Sequence, residues 1–116
     1  MASERAGWLI NEYTTARGER PVRVFISGLS RRAMVEAVAL IKLLEERGNT
    51  LRRPHSASLG GGLFELRGDE VRIFYVFRPG RRITILNGVV KKRRRVAAEA
   101  LKLARRYQKE VKPIET

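Results

Sequence analysis

Cysteine is absent from this chain, which excludes disulfides, thiolate nucleophiles and cysteine-based zinc sites. One histidine, His55, is present, so a histidine pair sharing acid and base work is ruled out and no Ser-His-Asp triad is evident. It lies in a Pro/Ser/Gly stretch that reads as exposed loop rather than catalyst. Acidic residues are scarce: 12 Asp and Glu stand against 25 Lys and Arg, for a formal net charge of +13. No cluster of acidic residues, histidines and cysteines suggests a metal, and no cofactor motif appears. Gly60-Gly61-Gly62 is not followed by Gly-Lys-Ser/Thr and is therefore no phosphate-binding P-loop. Apolar runs are too short to span a bilayer, and the opening residues lack a signal peptide's apolar stretch. A soluble, cytoplasmic protein without a membrane partner is expected.

What remains is positive charge on a globular frame. The 116 residues suit one domain with a modest core, and a hydrophobic content of 43% argues against disorder throughout. The sequence pI is near 11.3. Because the cations cluster, they favour a polyanionic partner and fast, salt-sensitive association. RNA fits that description.

The periodicity predicts an α+β domain spanning 1–116. Residues 8–13 read as a first strand and 16–20 as a turn. Pro21 suits a helix's first position, followed by Val22, Phe25, Ile26 and Leu29 at helical spacing. Ser30 is a candidate N-cap for a longer helix with the stripe Met34, Ala37, Val38, Ile41 and Leu44. Gly48 is placed to end it with positive φ. Residues 49–62 read as a loop. Strands follow at 63–67, 71–78 and 82–90, separated by Gly68-Asp69-Glu70 and Pro79-Gly80. A closing helix begins within 93–96, with Val96, Ala100, Leu103, Ala104, Tyr107 and Val111 on one face and Pro113 marking its end. The expected order is β-α-α-β-β-β-α: a small antiparallel sheet with helices packed on one face.

Alternation along the strands puts Leu63, Glu65 and Arg67 on one side and groups Arg72 with Phe74 and Val76. An arginine within such an apolar run needs a partner or a ligand, since a lone buried charge is costly. Glu65 can pair with either arginine as a structural ion pair. Alternatively Arg67 and Arg72 line a sheet face that grips phosphate, and both arrangements can coexist. The run Lys91-Lys92-Arg93-Arg94-Arg95 is either a solvated basic face or a phosphate-binding one. Five adjacent cations repel one another and oppose the dipole at a helix start, and a bound phosphate backbone relieves both. Arg82, at the start of the last strand, joins Arg93, Arg94 and Arg95 as a candidate RNA- or ribosome-binding residue.

The ordered set Gly48, Leu51, Pro54, Leu59, Gly62-Leu63-Phe64-Glu65-Leu66-Arg67, Val71-Arg72-Ile73-Phe74-Tyr75 and Asn87-Gly88-Val89-Val90-Lys91-Lys92 resembles the phage-derived HigB-like branch of the RelE/ParE toxin superfamily. The resemblance covers most of the chain. It implies a type II toxin: a RelE-like fold and a metal-independent endoribonuclease that cuts mRNA in the ribosomal A site. A helix-turn-helix, HigA-like antitoxin would be its neutralising partner. Arg67 and Arg72 match the family's sheet arginines, and Lys91 and Lys92 its strand-end lysines. The chain departs from the pattern after Lys92, where Arg93-Arg94-Arg95-Val96-Ala97 replaces polar Thr/Gln residues and a Thr-Pro helix start. It also lacks the tyrosine that some relatives use for base stacking.

Residue types supply a mechanism. RNA carries its own nucleophile, the 2′-OH. Arg67 and Arg72 suit transition-state stabilisation through arginine's planar fork. A lysine crowded by cations gives up its proton more readily, so Lys91 or Lys92 is the candidate base. Two other functions suit the same charge: a non-catalytic ParE-like toxin that binds DNA gyrase, and a plain RNA- or ribosome-binding protein.

Overall fold

The computed structural model describes residues 7–92 and 94–111. Five strands form one sheet in the order β1-β5-β4-β3-β2. They are β1 Leu9–Glu12, β2 Ser56–Gly60, β3 Leu63–Arg67, β4 Val71–Arg78 and β5 Arg82–Val90. The helices are α1 Pro21–Ser27, α2 Arg31–Arg47 and α3 Arg94–Glu110. All neighbouring strands run antiparallel except β1, which pairs with β5 in parallel.

The α+β class is as expected, with two corrections. Residues 49–62 are not all loop, because Ser56–Gly60 forms the edge strand β2 against β3. Its Ser-Ala-Ser-Leu-Gly sequence has little strand propensity, so pairing rather than local preference makes it a strand. The β2–β3 link is the two-residue turn Gly61-Gly62, with φ of 61° and 83°. Two successive positive φ values are what a type I′ hairpin demands, and glycine meets them without steric cost.

The second correction is that helices cover both faces of the sheet. Ile73 and Tyr75 of β4 point toward α1 and α2, where Val22, Ala33, Ala37, Leu40 and Leu44 are buried. Phe74 and Val76 point the other way, with Leu63, Leu86 and Val89, toward Ala104 of α3. A strand buried on both sides needs a continuous apolar run, and Val71 to Phe77 is apolar apart from Arg72.

Ser30 caps α2, its side chain accepting from the Ala33 N–H. The buried stripe of α2 is Ala33, Ala37, Leu40 and Leu44, rotated from the expected one so that Val38 is 53% exposed. On α3, Val96 is 44% exposed, while Leu101 packs on the sheet instead. Pro113, expected to end α3, lies outside the described residues. The C-terminal half of α3 is fastened to the β2–β3 hairpin. Arg105 donates to the carbonyls of Leu59 and Gly60 at 2.8 and 2.9 Å, and Gln108 donates to Gly61 O at 2.7 Å. Tyr13 adds a further tie, donating to Glu110 at 2.6 Å. Burial first, and the Glu110 carboxylate second, push that hydroxyl up to about 12, so it stays a donor at neutral pH.

Gly48 closes α2 with φ 52°, and its backbone lies against the indole of Trp8. A Cβ there would stand 2.0 Å from the indole nitrogen. Gly48→Ala is therefore expected to lower stability by roughly 2–4 kcal/mol, combining positive-φ strain with a displaced indole. Urea unfolding should show a lower midpoint at an unchanged slope.

Candidate functional site

Arg67 ends β3, Arg72 is the second residue of β4, and the two are direct cross-strand partners. Opposed side chains on one sheet face start from Cβ atoms about 5 Å apart, so two guanidinium groups here repel unless something neutralises them. Part of that relief is internal. Arg67 Nε lies 3.2 Å from Glu65 Oε2, which assigns Glu65 to Arg67. Arg72 turns its Nη1 back to the carbonyls of Gly68 at 2.5 Å and Val71 at 3.1 Å. Arg72 thus braces the turn between β3 and β4 as well as adding charge.

That turn is held from its other side by α2. The Glu36 carboxylate accepts from the backbone N–H groups of Asp69, Glu70 and Val71 at 2.6, 2.8 and 3.1 Å. Gly68 makes the approach possible, since a Cβ there would lie 2.4 Å from the Glu36 carboxyl carbon. Lys91 joins the same corner through its backbone, donating to Glu70 O at 2.7 Å.

Between α2, the turn and the segment ahead of β2 lies a groove of about 710 Å³. Arg67, Arg72 and Lys91 line it, together with Arg53 and His55. The α2 wall contributes Ala39, Leu40 and Leu43, so a cationic side faces an aliphatic one. Arg53 and His55 come from the stretch read as plain loop. The β2–β3 register carries them in, with Arg67 N–H donating to His55 O at 2.8 Å. Only that pairing marks them, and β2 itself had no clear strand pattern.

Not every expected residue gathers here. Lys92 is exposed in the turn after β5 and is not among the groove's lining residues. Arg94 and Arg95 are exposed on the first turn of α3, which holds no acidic residue. Arg93 lies outside the described residues. Arg82 is exposed and stands apart from the groove, at the opposite end of β5, donating to Pro79 O at 3.0 Å. At about 3.3 Å per residue, the strand puts it roughly 25–30 Å from Lys91. Among the described residues, no group of three or more His, Asp or Glu is placed to hold a metal ion. No helix among them is long and apolar enough to cross a membrane.

The profile of the phage-derived Gp49-like proteins matches residues 24–109. The chain belongs to the phage-derived Gp49-like family. No curated protein sequence matches it. A chain of the RelBE2 toxin–antitoxin complex from Mycobacterium tuberculosis shares its fold, with a TM-score of 0.55 at 16% identity. The match covers 73% of this chain and 99% of that one. The fold of this Gp49-like protein is therefore RelE-like. Its family segment contains every groove residue, from Glu36 through Lys91.

Removing the Glu36 carboxylate frees three backbone donors at the turn. Glu36→Ala should cost about 1.5–3 kcal/mol, the range for hydrogen bonds to a charged group, discounted because the turn is partly exposed. Amide exchange at Asp69, Glu70 and Val71 should accelerate more than at β4 residues further on.

Proposed function

We propose that this Gp49-like protein is the toxin of a type II toxin–antitoxin system, acting as a ribosome-dependent mRNA endoribonuclease of HigB-like type. One toxin domain spans 1–116, works in the cytoplasm without metal or cofactor, and is neutralised by a helix-turn-helix antitoxin. The observation that carries this is the convergence of Arg67, Arg72 and Lys91 on one groove beside a rigidly tied turn. Cations on strand ends, held by second contacts, are preorganised toward charge that develops on a phosphate. The RelE-like fold, shared with a chain of a toxin–antitoxin complex, supports the toxin reading.

In the mechanism, the ribosome presents mRNA with a phosphate against the arginine pair. The 2′-oxygen attacks phosphorus in line with the departing 5′-oxygen, so alignment supplies much of the acceleration. Arg67 and Arg72 hold the equatorial oxygens as negative charge builds there. Lys91 lines the groove and Lys92 does not, which favours Lys91 for proton transfer. Arg94 and Arg95, exposed at the start of α3, serve docking on ribosomal RNA.

Expression without antitoxin should arrest growth and produce new 5′ ends within translated messages, mapped soon after induction. Intact messages together with damaged or relaxed DNA would instead identify a gyrase-binding toxin. On ribosome-bound mRNA, Arg72→Ala should slow single-turnover cleavage by about 10²–10³-fold, as for loss of other preorganised donors. Because Arg72 also braces the turn, the same variant should lose about 1 kcal/mol of stability. Cleavage at the normal rate by that variant would leave Arg72 with its bracing role alone.

A further inference from the structure

Cleavage by a 2′-oxygen moves two protons, one off the nucleophile and one onto the departing 5′-oxygen. Arginine stays charged in proteins and can exchange neither. Around the groove stand Arg53, Arg67, Arg72 and Lys91, the carboxylates Glu36 and Asp69, and His55. Glu36 is occupied by three backbone donors. Among these groups, the one whose ordinary charge change falls between about pH 5 and 8 is the imidazole.

We propose that His55 is the general base of this site and that the Lys91 ammonium is its general acid, an assignment that rests on the endoribonuclease reading above. Two features support it. The backbone of His55 is fixed on both sides, its N–H donating to Arg52 O at 3.1 Å and its carbonyl accepting from Arg67 at 2.8 Å. The backbone of His55 is thereby tied directly across from Arg67, one of the arginine pair. Its ring is exposed at the groove's rim, where it can meet a ribose and exchange protons with water.

The step balances as follows. The neutral imidazole takes the 2′-OH proton as the oxygen bonds to phosphorus, and the bond from phosphorus to the 5′-oxygen breaks. The Lys91 ammonium gives its proton to that oxygen. The products are a 2′,3′-cyclic phosphate and a free 5′-hydroxyl. No water, metal or redox partner is consumed.

The test uses the full-length protein with ribosomes carrying a short synthetic mRNA, at the bond the wild type cuts. His55→Ala and the milder His55→Gln should bind programmed ribosomes normally and keep the wild-type circular dichroism. Their single-turnover rates should fall at least about 10²-fold, the usual share of general-base catalysis. Wild-type rates should rise with pH through the histidine range and then level, and both variants should lose that rise. Added imidazole should restore cleavage to His55→Ala but not to Lys91→Gln. An mRNA whose scissile 5′-oxygen is replaced by sulfur, a leaving group that needs no proton, should restore Lys91→Gln but not His55→Ala. Wild-type rates in both His55 variants, or slow variants that keep the wild-type pH rise and ignore imidazole, overturn the assignment while the nuclease reading stands. A wild type that cuts no ribosome-bound mRNA overturns both.

Discussion

The grip of Glu36 on the β3–β4 turn is the contact on which the candidate site depends. One carboxylate from the second turn of α2 takes three successive backbone N–H groups, and it fits because residue 68 is glycine. This fixes a helix relative to a strand end and leaves the turn's carbonyls facing Arg72. The turn is thus held by an anion from one side and a cation from the other. Arg67, Arg72 and Lys91 all sit within two residues of it along the chain or across a backbone bond. Functional side chains placed on so constrained a corner lose little order when a phosphate arrives.

The cost of this arrangement is electrostatic. Two arginines opposed across a strand pair, with Lys91 and Arg53 near them, make a corner that disfavours its own unliganded state. Glu65 and two backbone carbonyls offset part of that repulsion, and the carboxylates Glu36 and Asp69 line the same groove. The strand that bears Arg72 is well anchored: both faces of β4 are buried, and Ile73, Phe74, Tyr75 and Val76 are all in the core. Burial of this extent supports a charged edge that a smaller core could not hold together.

Much of this was legible in the sequence, and the reasons differ element by element. Pro21 and Ser30 mark helix starts by their own chemistry, and both helices begin there. The arginines declared themselves by interrupting apolar strands. The edge strand β2 did not, because Ser56 to Gly60 has no strand pattern and takes its form from β3. With β2 unseen, the register that sets His55 beside Arg67 was invisible, and His55 was read as plain loop. The second helical layer was in fact written into β4: an unbroken apolar run in an antiparallel strand means cover on both sides. For α2, Met34 and Val38 suit a core as well as Ala33 and Leu40 do, so composition could not fix the helix's rotation, which the sheet decides.

The parallel pairing of β1 with β5 bears on when this molecule comes into being. Asn11 and Thr84, bonded at 2.9 Å, are 73 residues apart in the chain, and every other strand and two helices lie between them. A sheet closed by its earliest and latest strands cannot be completed stepwise during synthesis, and contacts of such long range form slowly. The edge strand β1, made first, therefore waits on the strand made last, and completion of the whole sheet rests on a contact between distant parts of the chain.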